Sequence, residues 1–279
     1  MFRIFVTNDD GIYAEGLVQL ARTLAPLSQM TIVAPESPRS AASHSITLHK
    51  PLRLDRYAGF PWPDGAVAGS EAYACSGSPS DCTMLGVLEI LKDAPPHLII
   101  SGINDGQNLA EDVTYSGTVA GAMEGAILGY PAMSVSLDHR GQGNYATACR
   151  FLVSIIERLF FGEKAPRPWR VPDFARVRAL FDGSRFLNIN VPDLPLGEVK
   201  GLAACYTGFR GYKDVVQKMT DPRGRPFFWI AGERVLDDSR EGSDVAAITE
   251  GYVTVTPLTW DLTDHGALEL VSRFLRPGS

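Results

Sequence analysis

The stretch Ile4-Phe5-Val6-Thr7-Asn8-Asp9-Asp10-Gly11 decides how this chain is read. Its first four residues have the pattern of a short buried β-strand. Downstream, Leu17, Leu20, Ala21 and Leu24 recur at helical spacing. Two carboxylates therefore lie where a strand stops and a helix is about to begin. In an open α/β sheet that edge is where ligands bind. Adjacent carboxylates there repel one another unless a positive charge lies between them, and a divalent cation is the simplest such partner.

Working outward, the first half alternates strand and helix. This predicts an α/β fold, a Rossmann-like, mostly parallel sheet with helices on both faces. A second strand is expected over 30–34, ending in Ala34-Pro35-Glu36, and a long Ser-rich stretch without period follows over 37–45. Residues 48–54 suit an edge strand, where Pro51 is tolerated. Ser76-Gly77-Ser78-Pro79-Ser80 starts a helix whose buried face is marked by Met84, Val87, Leu88 and Leu91. Pro95-Pro96 stops it before a buried strand, His97-Leu98-Ile99-Ile100, which leads into Ser101-Gly102-Ile103-Asn104 and an irregular loop to Tyr115. Ser116-Gly117-Thr118 opens another helix, with Val119, Ala122, Met123, Ala126 and Ile127 on one face. Gly117, Gly121 and Gly125 lie close to another face and allow close backbone approach. A strand over 132–137 and a helix striped by Leu152, Ile155, Ile156 and Leu159 follow.

The 279 residues, 45% hydrophobic, read as one domain: a Rossmann-like core over 1–160 and, over 161–279, the remaining strands, a projecting hairpin and a C-terminal helix. Pro166-Arg167-Pro168 reads as a linker between them. Strands are expected over 186–191 and 251–258, and a closing helix over 268–275. Pro222-Arg223-Gly224 turns a hairpin carrying Phe227-Phe228-Trp229-Ile230; these aromatics either pack on the body or form an oligomer contact. Net charge is −6 without a Lys/Arg stripe, which argues against a nucleic-acid polymer as partner. Cys75, Cys82, Cys149 and Cys205 show no metal-finger spacing and fit free thiols in a reducing compartment. Met1 leads straight into the first strand, and no apolar run is long enough for a bilayer, so a soluble, cytoplasmic protein without a membrane partner is expected.

If the strands are parallel neighbours, Asn8-Asp9-Asp10-Gly11, Pro38-Arg39-Ser40 and Ser101-Gly102-Ile103-Asn104 meet in one crevice. Asp9, Asp10, Ser40 and Asn104 would then offer hard oxygens, suited to Mg²⁺, Mn²⁺ or Ca²⁺. Ser116-Gly117-Thr118 at a helix start forms an anion cradle, in which unpartnered N–H groups and two hydroxyls face a phosphate. Taken singly, the acidic pair also fits a helix cap, Ser-Gly-Thr also fits a cap, and His44 and His49 fit surface or edge positions. No Gly-rich dinucleotide or P-loop fingerprint follows the first strand, which separates the chain from nucleotide-dependent synthases and transferases. A non-catalytic nucleotide sensor would keep the same ligands. The DxD arrangement of a nucleophilic aspartate is absent, and the adjacent pair suits chelation.

These segments resemble the SurE (survival protein E) family of metal-dependent 5′/3′-nucleotidases. The matching runs are Val6-Thr7-Asn8-Asp9-Asp10-Gly11-Ile12, Val33-Ala34-Pro35 with Arg39-Ser40-Ala41, His44-Ser45-Ile46-Thr47 and Gly77-Ser78-Pro79-Ser80-Asp81-Cys82. They continue through Ile100-Ser101-Gly102-Ile103-Asn104-Asp105-Gly106-Gln107-Asn108, Tyr115-Ser116-Gly117-Thr118-Val119, Leu187-Asn188-Ile189-Asn190-Val191-Pro192, Gly251-Tyr252-Val253 and Thr256-Pro257-Leu258. The resemblance implies one divalent ion per subunit, Mg²⁺ or Mn²⁺, on Asp9, Asp10, Ser40 and Asn104. It implies hydrolysis of nucleoside monophosphates, in some members of short polyphosphate too, and a homodimer or homotetramer built through the C-terminal region. Asp9 and Asp10 would be catalytic, with Asn108, Ser116, Gly117 and Thr118 on the phosphate. Pro61-Trp62-Pro63-Asp64-Gly65 stands apart as an insertion or divergent loop able to alter base contacts.

Overall fold

Alternation along the first strand sets the layers. In a computed structural model, which describes residues 1–138, 141, 143–162 and 165–276 (without the side chains of 212–215 and 231–236), β1 (Arg3–Thr7) lies mid-sheet. Ile4 and Val6 point to one face and Phe5 to the other, and all three are buried. The chain continues through α1 (Glu15–Leu24), β2 (Gln29–Pro35), β3 (Leu54–Arg56), β4 (Glu71–Cys75), α2 (Pro79–Leu85) and β5 (Leu98–Asp105). Then come α3 (Gly117–Ile127), β6 (Ala132–Asp138), α4 (Tyr145–Ile156), β7 (Arg185–Pro192), β8 (Leu202–Ala204), β9 (Arg210–Thr220), β10 (Pro226–Asp237), α5 (Asp244–Thr249), β11 (Val253–Thr259) and α6 (Leu268–Leu275).

Among the described residues, nine strands form one sheet in the order β3-β4-β2-β1-β5-β6-β7-β11-β8. Pairing is parallel from β4 to β7, whereas β3 and β11 run antiparallel to their neighbours β4 and β7. Helices α1 and α4 bury Leu17, Leu20, Leu24, Leu152 and Ile156 against the Ile4–Val6 face. Val119, Ala122 and Ala126 of α3, with Cys82 and Val87, cover the Phe5 face. The fold is thus the expected Rossmann-like, mostly parallel sheet with helices on both faces, plus a separate two-stranded hairpin of β9 and β10. No helix among the described residues is long and apolar enough to cross a membrane.

Several expectations change. The edge strand over 48–54 is displaced: β3 begins at Leu54, and Leu48 is exposed. β4, absent from the sequence reading, inserts between β3 and β2. Leu88 is exposed because α2 gives way to a π-helical turn over Gly86–Ile90, whose extra residue per turn rotates the apolar face. Ile127, in the last turn of α3, is exposed as well. Pro166, Arg167 and Pro168 are exposed, and directly after them Trp169 is fully buried on Phe2 and Phe161. Its main chain bonds to Phe2 and Leu27. The 61–65 segment sits on the α1 side, where Trp62 packs on Phe60, and none of its residues lines the crevice described below.

Candidate active site

Strands β2, β1 and β5 are immediate neighbours, so their carboxyl ends share one edge. At the end of β1 the buried Asn8 closes a turn: its Oδ1 accepts from Gly11 N–H at 3.1 Å and its Nδ2 donates to the Gly11 carbonyl at 2.9 Å. Gly11 takes φ +97°, and an added Cβ would meet the Pro35 carbonyl at 3.3 Å, so glycine is required there. Ile12 N–H donates to that Pro35 carbonyl at 2.8 Å, and Arg39 N–H donates to the Asp9 carbonyl at 2.7 Å. These bonds stitch the 37–40 loop to the acidic turn and bring Ser40 beside Asp9. On the other side, the pairing of β5 with β6 slips between Ser101 and Asn104, which re-aims the end of β5 toward the same corner. Asn104 Nδ2 donates to the Gly106 carbonyl at 2.7 Å, leaving its Oδ1 as an acceptor.

The result is a cavity of about 280 Å³ lined by Asp9, Asp10, Ser40, Asn104, Asn108 and Ser116, together with Ala41, Asp105, Asp112 and Tyr115. Asp9 is only 4% exposed, and burial pushes its carboxyl up to about 6 from an ordinary 3.8, against the opposing hydrogen bond from Thr118. Burial likewise raises Asp10, whose Oδ2 accepts from Asp105 N–H at 3.1 Å. No Lys, Arg or His among the described residues contributes to either shift. Nor do three His, Cys, Asp or Glu side chains gather into a metal cluster among them. A cation here would therefore draw on two carboxylates and neutral oxygens from Ser40 and Asn104, a donor set that suits a hard divalent ion. A buried and a half-buried carboxylate whose charges no described Lys, Arg or His offsets fit that ion.

The phosphate half is arranged differently from the sequence reading. Ser116 caps α3, its Oγ accepting from Val119 N–H at 3.1 Å, and its own O–H is left to donate. Thr118 is fully buried, and its hydroxyl donates to Asp9 Oδ1, so that hydroxyl supports the acidic pair instead of facing a ligand. Gly117 also serves Asp9: an added Cβ would lie 2.9 Å from Asp9 Cβ and 3.0 Å from its Oδ2. The start of α3 thus already holds one anion, the Asp9 carboxylate. Neither Gly117 nor Thr118 lines the cavity. Gly121 approaches Ser101 and Thr7 in the same way, and Gly125 approaches Ile99.

Asn108 is held from beneath. Its N–H donates to Asn190 Oδ1 at 2.7 Å, its Nδ2 to Ser136 Oγ at 2.8 Å, and its carbonyl accepts from the amides of Asn188 and Asn190. Sequence reasoning quoted Asn188 and Asn190 without a role; their alternation with Leu187 and Ile189 is the signal of a strand with one polar face. His44 is exposed, as expected, and its Nε2 lies 2.8 Å from the buried Glu124 carboxylate, a contact that the sequence does not announce.

A family model described as Survival protein SurE matches residues 4–214. The chain belongs to the SurE family. Among SurE relatives, a protein of Synechococcus sp. (strain JA-3-3Ab) named 5′-nucleotidase SurE is 41% identical over 273 residues, covering 97% of this chain and 96% of that one. A Cronobacter sakazakii protein named 5′/3′-nucleotidase SurE is 42% identical over 275 residues, covering 98% and 96%. The crystal structure of the SurE protein from Aquifex aeolicus superposes with a TM-score of 0.77 at 34% identity, covering 98% of this chain and 99% of that one. The SurE match spans the elements that build the cavity, from β1 through α3, and the hydrogen-bonded floor on β7.

Proposed function

We propose that the protein is a metal-dependent nucleotidase that hydrolyses nucleoside 5′- and 3′-monophosphates to nucleoside and phosphate. The observation that carries this reading is the carboxylate pair of the buried Asp9 and the half-buried Asp10 at one corner with Ser40 and Asn104, with no Lys, Arg or His among the described residues offsetting either charge. The printed names of the relatives, 5′-nucleotidase and 5′/3′-nucleotidase SurE, point the same way. Asp9, Asp10, Ser40 and Asn104 would hold one divalent ion, Mg²⁺ or Mn²⁺. When bound, that ion supplies positive charge and Lewis acidity toward a phosphomonoester and water.

The chain's own residues do the rest. Thr118 donates to Asp9 and favours its ionised form against burial, and the missing Cβ of Gly117 leaves room for it at the start of α3, where the helix dipole favours an anion. The Ser116 hydroxyl and the second Nδ2 hydrogen of Asn108, both residues of the cavity lining, would donate to the non-bridging phosphate oxygens, whose charge is what a preorganised donor stabilises in the transition state. Asn188, Asn190 and Ser136 fix Asn108 so that it need not reorganise. A colorimetric phosphate-release assay over a panel of nucleoside 5′- and 3′-monophosphates and short-chain polyphosphate, with Mn²⁺ and with chelator, tests the reading. Metal-dependent release from the monophosphates supports it, and no release from any of them overturns it.

The hairpin of β9 and β10 presents Trp229 and Ile230 at 61% and 89% exposure, along with Phe228 and Val216. An isolated two-stranded ribbon with such a face is unstable alone. It serves here as the contact of a homodimer or homotetramer. A cytoplasmic site of action fits the four buried free cysteines.

A further inference from the structure

Between β5 and α3, residues 107–116 carry Asn108, Asp112, Tyr115 and Ser116 to the cavity, yet the second half of the chain is what clamps them. Leu109 and Ala110 are buried on Val245 and Ile248 of α5. Asp244 accepts from Ala110 N–H at 3.2 Å and from Gly208 N–H at 2.8 Å. The strongest tie is Arg210, the first residue of β9. Its side chain is 1% exposed. Nη1 donates to Asp112 Oδ2 at 3.0 Å and Nη2 to Gln107 Oε1 at 2.8 Å. Nε lies 3.8 Å from Asp237 Oδ1 at the end of β10, and the Arg210 main-chain N–H donates to Glu111 Oε2 at 2.8 Å.

A guanidinium removed from water is costly unless partners match its planar fork; here Asp112 and Gln107 take the two Nη groups, while Nε has only the longer approach to Asp237. Gln107 immediately precedes Asn108, and Asp112 itself lines the cavity. One side chain therefore grips the segment on both sides of Asn108, and from the opposite direction it meets both strands at the root of the hairpin.

We propose that Arg210 is a positioning residue for the anion-binding half of the site, holding Gln107 and Asp112 together so that the root of the hairpin sets the geometry of the 107–116 segment. The inference rests on the reading that this segment receives the phosphate. The carboxylate pair lies on another element and is reached by none of these bonds, so loss of Arg210 should separate phosphate binding from metal binding.

The test is calorimetric titration of the full-length protein with Mn²⁺ alone, then with inorganic phosphate in the presence of Mn²⁺. Arg210→Met should weaken phosphate binding at least tenfold and leave Mn²⁺ affinity within twofold. Arg210→Lys should fall between, since an ammonium cannot span both partners. In turnover, KM for a nucleoside monophosphate should rise by a larger factor than kcat falls. Should Arg210→Met fail to fold, Gln107→Ala keeps the ion pair with Asp112 and should weaken phosphate binding about threefold. Unchanged phosphate affinity in the folded variants, or a parallel loss of Mn²⁺ affinity, would overturn the proposal, as would wild-type protein that takes no phosphate when loaded with Mn²⁺. Wild-type protein that binds phosphate but releases none from nucleotides would sink the nucleotidase reading and leave the role of Arg210 standing.

Discussion

Neutralising Asp9 should stabilise the metal-free protein, although the same change destroys the site. Burial holds the Asp9 carboxyl at about 6 in the folded chain, against 3.8 when ordinarily solvated. Because the folded value lies above the unfolded one, the stabilising share of this group is fully present below about 3.8 and is lost as pH rises through about 6. At about 1.4 kcal/mol per pH unit, the ionised Asp9 costs the fold about 3 kcal/mol at neutral pH. Asp9→Asn keeps the shape and an oxygen for the Thr118 hydroxyl, and it removes the charge. Chelator-treated Asp9→Asn should therefore melt higher than chelator-treated wild type at about pH 7.5, by on the order of 5–10 °C. The gap should shrink to about half by about pH 5, as Asp9 in the wild type takes up its proton, and close below about 3.8. Mn²⁺ should reverse the order at the higher pH, because an ion binding only the folded wild type at about a thousand times its dissociation constant adds about 4 kcal/mol, more than the cost of the buried charge. Thermal or urea unfolding with and without Mn²⁺ at the two pH values reads all three effects. A metal-free Asp9→Asn protein less stable than wild type near neutral pH, or a gap that ignores pH, would refute the claim that burial of an uncompensated charge defines this corner.

Other consequences are simpler to state. Asp10→Ala should abolish metal-dependent phosphate release while leaving the far-ultraviolet circular dichroism unchanged; near-wild-type turnover would contradict its placement. Gly117→Ala inserts a Cβ 2.9 Å from Asp9 Cβ, an overpacking that costs about 1–3 kcal/mol and pushes the carboxylate aside. Calorimetry should show Mn²⁺ binding at least tenfold weaker. Thr118→Val removes the hydroxyl that donates to Asp9, so Mn²⁺ affinity should fall at least as much as phosphate affinity; loss of phosphate binding alone would restore Thr118 to the phosphate. Ile230→Lys, at a position 89% exposed on the hairpin, should lower the mass seen by light scattering, and an unchanged mass would move the subunit contact elsewhere.

The residues with strong local physics were legible in the sequence. The buried central strand β1 carries a continuous apolar run, Ile4 to Val6, and β6 alternates Met133, Val135 and Leu137 with serines. The acidic turn and the Ser116 cap announce themselves by position, because ends of strands and starts of helices have distinctive chemistry. The rest depends on what the chain meets in space. β4 was missed because Glu71 and Tyr73 break its apolar pattern on the side that pairs with the short edge strand β3. β5 runs on to Asp105 through polar residues that no periodicity marks as strand. Leu88 keeps a helical spacing in sequence, but a π turn changes the phase to which that spacing refers. Trp169, just past the Pro166-Arg167-Pro168 stretch and without any periodic signal of its own, is buried by Phe2 and Phe161. In the site, Asp9 and Asp10 stand out as a pair, whereas Thr118 and Gly117 are readable as cap and cradle and turn out to face Asp9 itself. Arg210 carries no local signal at all: its partners are roughly a hundred residues away, at Gln107 and Asp112.

The central claim is that the acidic corner of β1 completes itself with a dication. A crystal soaked in Mn²⁺ and measured at the manganese edge addresses it directly. The expected map has one anomalous peak per subunit within coordination distance of Asp9, Asp10 and Asn104. A peak elsewhere with that corner bare would contradict both the metal site and the chemistry built on it.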